Sequence, residues 1–210
     1  MHYLVQNELP TIDPMPLVSS ANPFNDPDWL FEIKYDGIRA LAYVVGDDCQ
    51  LVSADRSRLK GFDSLCSAIV SGLNARDSVL DGEIVSMDEN GVINFTDLLE
   101  RKGRLCYFAF DLLLLNGRDQ RDLPLIERKR RLKEVIPSGS GSLLYADYVA
   151  GNGVALYDMA VKNDLEGIVA KPRDSRYAPG TVWYKINAPH YTQARNHNGH
   201  QRAAERFHTN

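Results

Sequence analysis

The segment from Glu32 to Arg39, which reads Glu-Ile-Lys-Tyr-Asp-Gly-Ile-Arg, decides the fold of this chain. Alternation of polar and apolar residues up to Lys34 predicts a strand that carries Glu32 and Lys34 on one face. The Asp36-Gly37 pair then predicts a tight turn. A strand lysine in this position becomes a nucleophile where neighbouring cations lower its pKa. Taken alone, the pattern is more typical of an exposed strand face followed by a turn.

Outward from this segment, hydrophobic periodicity predicts an α+β chain of mostly antiparallel strands with helices packed against them. A proline-rich start, residues 1–28, predicts an extended arm. The polar residues 193–210 predict a tail without fixed structure, so one domain is expected over 1–192. Strands are predicted at 29–34, 40–45, 50–53, 79–87, 106–115, 143–149, 167–171 and 182–186, and helices at 62–73, 95–100, 126–136 and 154–162.

Acidic and aromatic residues interrupt the apolar strands. Asp81 and Glu83 flank Gly82 within one strand, where buried carboxylates are costly unless they have partners or a task. Phe108 and Phe110 lie on the following strand. An aromatic ring there could stack on a nucleobase, but plain core packing accounts for the two rings equally well.

Two further lysines lie on the last strands. Glu166 and Lys171 are five positions apart, so strict alternation sends them to opposite faces unless Gly167 begins the strand or forms a bulge. Lys185 shares a strand face with Trp183. Cations around a polyphosphate, with carboxylates for Mg²⁺, are typical of nucleotidyl transfer. The sequence has no GxxxxGK[ST] loop, which argues against a P-loop NTPase.

Composition narrows the class of protein. The chain has 210 residues, of which 44% are hydrophobic and 25% charged, and these values exclude a wholly disordered or fibrous protein. The net charge of -4 means that any nucleic-acid contact must come from a local basic site or a partner. The three cysteines form no CxxC pair, which favours a reducing cytoplasm. Because no apolar run approaches about 20 residues, no membrane span is expected.

Together, the motifs resemble those of the covalent nucleotidyltransferases. The resemblance is closer to the adenylation domain of bacterial ATP-dependent DNA ligases of the kind tied to end-joining repair, and it covers about residues 14–193. It implies an ATP-grasp-like nucleotidyltransferase domain of two mainly antiparallel sheets with flanking helices. The motifs that carry it are Lys34-Tyr-Asp-Gly-Ile-Arg39, Asp81-Gly-Glu83, Phe108-Ala-Phe110-Asp111, Glu166-Gly-Ile-Val-Ala-Lys171 and Trp183-Tyr-Lys185.

The resemblance also implies a role for each matched residue. Lys34 would attack the α-phosphate of ATP, forming a lysyl-AMP phosphoramidate. AMP would then pass to the 5′-phosphate of nicked or broken DNA, in repair and recombination. The other roles would be Glu32 for the adenine edge, Arg39 for the ribose or phosphate, Glu83 for the ribose hydroxyl, Phe110 for stacking on adenine, Glu166 for Mg²⁺, and Lys171 and Lys185 for the phosphates.

Three features depart from the family pattern. Ala54 stands where the family usually has an arginine, and Arg56 follows two positions later. Asn187 replaces the second lysine of the last motif, and an amide cannot supply the missing positive charge. No segment resembles the OB-fold domain that usually follows, so we expect that a separate repair protein supplies an OB fold or a DNA clamp. The chain itself is expected to be a monomer.

Other interpretations of the sequence remain open. The departures also fit a catalytically weakened module that binds nucleotides or DNA ends, and the motifs also fit an RNA ligase or a capping-type nucleotidyltransferase. In the tail, His197, His200 and His208 are spaced poorly for a metal site, and a solvated tail is the preferred interpretation. The basic run at 128–133 is interpreted as the solvated face of an amphipathic helix rather than a contact to DNA phosphates.

Overall fold

The computed structural model describes residues 9–20, 22–193 and 207. Within them the chain forms eleven strands and four helices. In chain order these are β1 (Leu17–Ser19), β2 (Asn25–Ile33), β3 (Ile38–Val45), β4 (Asp48–Ser53), α1 (Asp63–Gly72), β5 (Ser78–Met87), α2 (Phe95–Leu99), β6 (Arg104–Leu115), β7 (Arg118–Asp119), α3 (Leu125–Val135), β8 (Leu143–Tyr145), β9 (Tyr148–Asn152), α4 (Gly153–Lys162), β10 (Gly167–Pro172) and β11 (Trp183–Asn187).

The strands form two sheets, as the α+β prediction requires. The first has the order β1-β11-β10-β2-β9, and the second has the order β4-β3-β5-β6-β7, with β8 also paired to β6. Neighbouring strands are antiparallel except in the β1–β11 and β6–β8 pairs. The predicted architecture of two mainly antiparallel sheets with flanking helices is confirmed.

Three hydrophobic clusters build the layers. One lies between the sheets and includes Leu41 and Val79 from the second sheet and Val169 and Trp183 from the first. A second packs α1, α2 and α3 on the outer face of the second sheet. A third packs α4 against the first sheet around Phe31. The layers are therefore, in order, α4, the first sheet, the second sheet and the helices α1 to α3. A cleft between the two sheets can hold a ligand.

The segment predicted as one strand at 143–149 is two strands. β8 pairs with β6 in the second sheet, whereas β9 pairs with β2 in the first. The crossing occurs at Ala146, which is fully buried and whose amide donates to the carbonyl of Ala109 at 2.9 Å. Periodicity along the sequence predicts extended backbone correctly here, but it carries no information on which sheet each half joins.

Both ends of the chain contain ordered features that the sequence analysis did not predict. The arm predicted at 1–28 contains β1 and the first residues of β2, whose pairing with β9 shifts register between Asp26 and Leu30. Of the tail predicted at 193–210, only Gln193 and Phe207 are described. Phe207 is buried against the ring of Phe62 at a centroid distance of 5.0 Å. The three tail histidines lie outside the described residues.

No helix in the described part of the chain has the length and apolar character needed to cross a membrane.

Candidate active site

A cavity opens between the two sheets. It gathers six of the eight residues that the sequence singled out, which come from β2, β3, β5, β6 and β10 and from the turn after β2. The lining residues are Leu17, Glu32, Ile33, Lys34, Tyr35, Arg39, Glu83, Phe110, Val169, Lys171 and Trp183.

Lys34 follows directly after β2, and its ammonium contacts a carboxylate. Lys34 Nζ lies 2.5 Å from Glu166 Oε2, and the two side chains are 19% and 8% exposed. The Lys34 amide also donates to the Gly167 carbonyl at 3.0 Å, so the backbone fixes the two segments together. The candidate nucleophile is therefore held at a defined position rather than on a free strand face.

Gly167 explains how Glu166 and Lys171 reach the same region. β10 begins at Gly167, which has a φ of +143°. A Cβ at this position would lie 2.1 Å from the carbonyl oxygen of Ile186 on the neighbouring strand. Glu166 consequently precedes the strand and escapes its alternation, so the predicted strand start at Gly167 is confirmed. The side chain of Glu166 contacts Lys34, whereas Lys171 pairs with Glu32.

Glu32 lies between two buried lysines. Its Oε2 accepts a hydrogen bond from Lys171 Nζ at 2.6 Å, and its Oε1 lies 2.9 Å from Lys129 Nζ. Lys129 is fully buried and also donates to the carbonyl of Ala146 at 2.6 Å. Lys171 is thus paired with a carboxylate, and burial lowers the pKa of its ammonium although Glu32 opposes that effect.

The interpretation of the α3 basic run as a solvated face is wrong for two of its residues. Arg128 and Lys129 are both 0% exposed, whereas Arg130 is 55% exposed. Arg128 forms a two-pronged ion pair with Asp111, with nitrogen–oxygen distances of 2.7 and 2.8 Å. Both buried cations fall at helical spacing between Leu125 and Leu132, so the sequence did contain a signal for burial.

Arg39 is anchored by the acidic strand of the predicted site. Its Nε and one terminal nitrogen donate to the two oxygens of Asp81 at 3.0 and 2.7 Å, and its other terminal nitrogen donates to the carbonyl of Met15. Tyr177 also donates to Asp81 at 2.8 Å. Two of the five guanidinium N–H groups remain for a ligand. The buried carboxylate of Asp81 therefore has partners, as its strand position required.

Glu83 occupies the cavity wall close to several charges. Burial raises the pKa of Glu83 to about 8, an effect opposed by the positive charges of Lys34 and Arg39 and reinforced by Glu166. A carboxyl group with such a pKa is largely protonated at neutral pH, so it can both donate and accept a hydrogen bond.

Phe110 lies at a β-bulge. Asp81 pairs with Asp111 and Gly82 pairs with Ala109, so Phe110 is the extra residue on β6. Its ring lies edge-on to that of Trp183 at a centroid distance of 6.1 Å. No periodicity rule predicts a bulge of this kind.

The remaining predicted cation, Lys185, and the departures from the family pattern are not among the residues that line the cavity. Lys185 is half-buried on β11 opposite Val169, and it forms no ion pair with any residue described by the structure. Asn187 is exposed. Arg56 is an exposed residue paired with Asp13 at 2.5 Å, so it does not reach the cavity.

A second cavity adjoins the first at the Lys34–Glu166 pair. Asp36 and Tyr191 line it, and the Tyr191 hydroxyl donates to Asp36 at 2.7 Å. Across the described residues, no group of three or more His, Cys, Asp or Glu side chains could enclose a metal ion. Glu166 lines this second cavity beside Lys34.

This geometry agrees with a comparison to known families. The chain matches the model described as an ATP dependent DNA ligase domain over residues 15–187. The chain belongs to the ATP-dependent DNA ligase domain family. The resemblance inferred from the motifs is therefore confirmed, and the fold is that of a ligase nucleotidyltransferase domain.

Individual relatives place this ligase domain within longer proteins. It is 32% identical over 171 residues to the multifunctional non-homologous end joining protein LigD of Mycolicibacterium smegmatis, an alignment that covers 79% of this chain and 22% of that protein. It is 28% identical over 192 residues to the SPbeta prophage-derived DNA ligase-like protein LigB of Bacillus subtilis, covering 87% of this chain and 69% of that protein. The ligase domain thus spans about a fifth of the mycobacterial relative.

A solved structure supports the same assignment. The structure of a mycobacterial DNA ligase D complexed with ATP and MES superposes with a TM-score of 0.73 at 28% identity. The match covers 83% of this chain and 60% of the solved chain. The predicted nucleotidyltransferase fold is therefore confirmed by the superposition as well as by the family model.

Proposed function

We propose that the ligase domain reacts with ATP to form a lysyl-AMP intermediate on Lys34 and then transfers AMP to the 5′-phosphate at a nick in DNA. The single observation that carries this proposal is the position of Lys34. Its ammonium contacts Glu166 at 2.5 Å while its side chain lines a cavity with Glu83, Arg39 and Phe110.

The first step needs a neutral amine and a departing pyrophosphate. Lys34 Nζ must lose a proton, and the carboxylate of Glu166 at 2.5 Å is placed to accept it. The nitrogen then bonds to the α-phosphorus while the bond from that phosphorus to the bridging oxygen breaks, and pyrophosphate leaves with the bonding electrons.

The cavity residues supply binding for each part of the nucleotide. In the proposal, Glu32 contacts the base edge, Phe110 stacks on the base and Glu83 binds a ribose hydroxyl. The free N–H groups of Arg39 and the ammonium of Lys185 favour the phosphates electrostatically. Lys171 forms an ion pair with Glu32 at 2.6 Å. In the proposal it therefore acts on the phosphates by electrostatics at a distance, together with Glu32, and not by direct contact.

Glu166 is also the carboxylate that would hold Mg²⁺ beside the phosphates. One carboxylate with phosphate oxygens and water is a common magnesium environment, so the residues present fit this ion. When bound, the ion would neutralise negative charge that accumulates as pyrophosphate departs.

The second half of the proposal concerns nucleic acid. After transfer of AMP to the 5′-phosphate, the 3′-hydroxyl of the nick attacks that phosphate and releases AMP. The net charge of -4 gives the chain no general attraction for DNA. We therefore propose that a separate repair protein, carrying an OB fold or a DNA clamp, holds the nick during sealing.

Covalent labelling tests the first step. Purified protein is first treated with pyrophosphate, which removes any AMP already attached, and is then incubated with α-labelled ATP and Mg²⁺. We expect label on the wild-type chain and on Lys102→Ala, a matched control at an exposed lysine paired with Glu100, and none on Lys34→Ala. Folded wild-type protein without label, or equal labelling of Lys34→Ala, would refute the proposal.

A further inference from the structure

Two buried polar atoms in residues that line the cavity have no aligned hydrogen-bond partner within the described part of the chain. One is the indole nitrogen of Trp183, a donor, and the other is Oε1 of Glu32, an acceptor. The two residues are 1% and 2% exposed, and both line the cavity. Buried indole N–H groups normally find an acceptor, so this pair requires an explanation.

The surroundings of Trp183 offer the indole no obvious acceptor. Its ring faces the rings of Phe110 and Tyr177 nearly at right angles. Lys171 Nζ lies 4.3 Å from its ring centroid and the Arg39 guanidinium lies 5.6 Å away, and both of these groups are donors only. The Tyr177 hydroxyl already donates one hydrogen bond and accepts another.

The Glu32 carboxylate is paired by charge but retains capacity to accept. Lys171 donates to Oε2. Lys129 lies 2.9 Å from Oε1 as an ion-pair partner without an aligned hydrogen bond to it, and it donates to the carbonyl of Ala146. Oε1 of Glu32 therefore retains capacity for one further donor, and Glu32 lines the same cavity as Trp183, whose indole lacks an acceptor.

We propose that Trp183 donates a hydrogen bond to a ring nitrogen of the adenine base while Glu32 accepts one from the exocyclic amino group. Adenine presents this amino donor between two acceptor nitrogens, N1 and N7, so it complements an acceptor and a donor together. Guanine presents an oxygen in place of the amino group, which the Glu32 carboxylate repels. Trp183 is thus a specificity-determining residue, an inference that rests on the proposed use of ATP.

Binding measurements with AMP test the role of Trp183 without chemistry, because AMP carries no pyrophosphate leaving group. Isothermal titration calorimetry would compare AMP with 1-deaza-AMP and 7-deaza-AMP on wild type, Trp183→Phe and Trp29→Phe. Trp29 is the only other tryptophan, which makes its substitution a matched control. We expect one deaza analogue to bind wild type and Trp29→Phe about tenfold more weakly than AMP. Trp183→Phe should bind that analogue and AMP equally.

A second readout does not depend on the Trp183→Phe protein. In Trp29→Phe, Trp183 is the sole indole, and its N–H proton resonance should move downfield when AMP binds. Equal affinity of wild type for AMP and both analogues, or a preference that persists in Trp183→Phe, would overturn the inference. If AMP binds and Lys34 is labelled but Trp183 has no influence, only this inference fails. If neither AMP binding nor labelling occurs, the proposed function fails with it.

Discussion

Replacement of Lys129 by methionine tests the charge arrangement beneath the cavity. Lys129 is fully buried, its Nζ lies 2.9 Å from Glu32 Oε1 and it donates to the carbonyl of Ala146 at 2.6 Å. Methionine fills a similar volume without charge. The substitution leaves the Glu32 carboxylate with a single cationic partner, Lys171, at 2.6 Å.

The expected cost follows from these contacts. Removing one partner of a buried ion pair typically costs about 3–5 kcal/mol, and the surviving contact to Lys171 places the cost near the lower end, at about 3 kcal/mol. Arg130→Met is the matched control, since Arg130 belongs to the same helix and is 55% exposed. Exposed ion pairs contribute little, so this control should lose less than about 1 kcal/mol.

Urea denaturation followed by circular dichroism measures the difference directly. The free energy of unfolding is obtained by linear extrapolation, and the slope shows whether the unfolded state has changed. Lys129→Met should unfold at a clearly lower urea concentration than Arg130→Met. If both variants unfold at the wild-type midpoint, Lys129 is not buried against Glu32 and the described charge arrangement beneath the cavity is wrong.

Three further substitutions have defined outcomes. Because burial raises the pKa of Glu83 from 4.5 to about 8, folding favours its protonated form, so the free energy of unfolding should fall as pH rises from about 4.5 through about 8. In Glu83→Gln that decrease should be smaller by up to about 5 kcal/mol, since each pKa unit corresponds to about 1.4 kcal/mol. Urea denaturation at both ends of the range measures it, and an unchanged pH profile would contradict the shift. Gly167→Ala places a Cβ 2.1 Å from the Ile186 carbonyl oxygen and should destabilise the fold by about 2 kcal/mol, visible as a lower melting temperature. Tyr191→Phe removes the 2.7 Å hydrogen bond to Asp36 and should cost about 1 kcal/mol in the same assay, and no change would show that the bond is not formed.

Much of the fold could be predicted because its strands and helices follow simple hydrophobic periods. The strand before Lys34 is an example, since alternation predicted extended backbone at 29–34 and β2 spans Asn25–Ile33. The split of 143–149 between two sheets could not be found in this way, because the same extended pattern serves either sheet. Tertiary partners, rather than local preference, decide where such a segment pairs.

The candidate site was predictable to the extent that its residues carry motifs. The spacing of Glu166 and Lys171 left either a bulge or a strand start at Gly167, and the structure shows a strand start. The burial of Lys129 was missed, because charge was taken to indicate solvent even though helical spacing placed the residue on the packed face. The bulge at Phe110 leaves no recognisable mark in the sequence.

Mass spectrometry of the intact protein tests the central claim most directly. Wild-type protein incubated with ATP and Mg²⁺ should gain the mass of one AMP, peptide mapping should place the group on Lys34, and added pyrophosphate should remove it. A folded protein that gains no AMP under these conditions, or that carries it on a residue other than Lys34, would contradict the account of this cavity as a nucleotidyltransferase site.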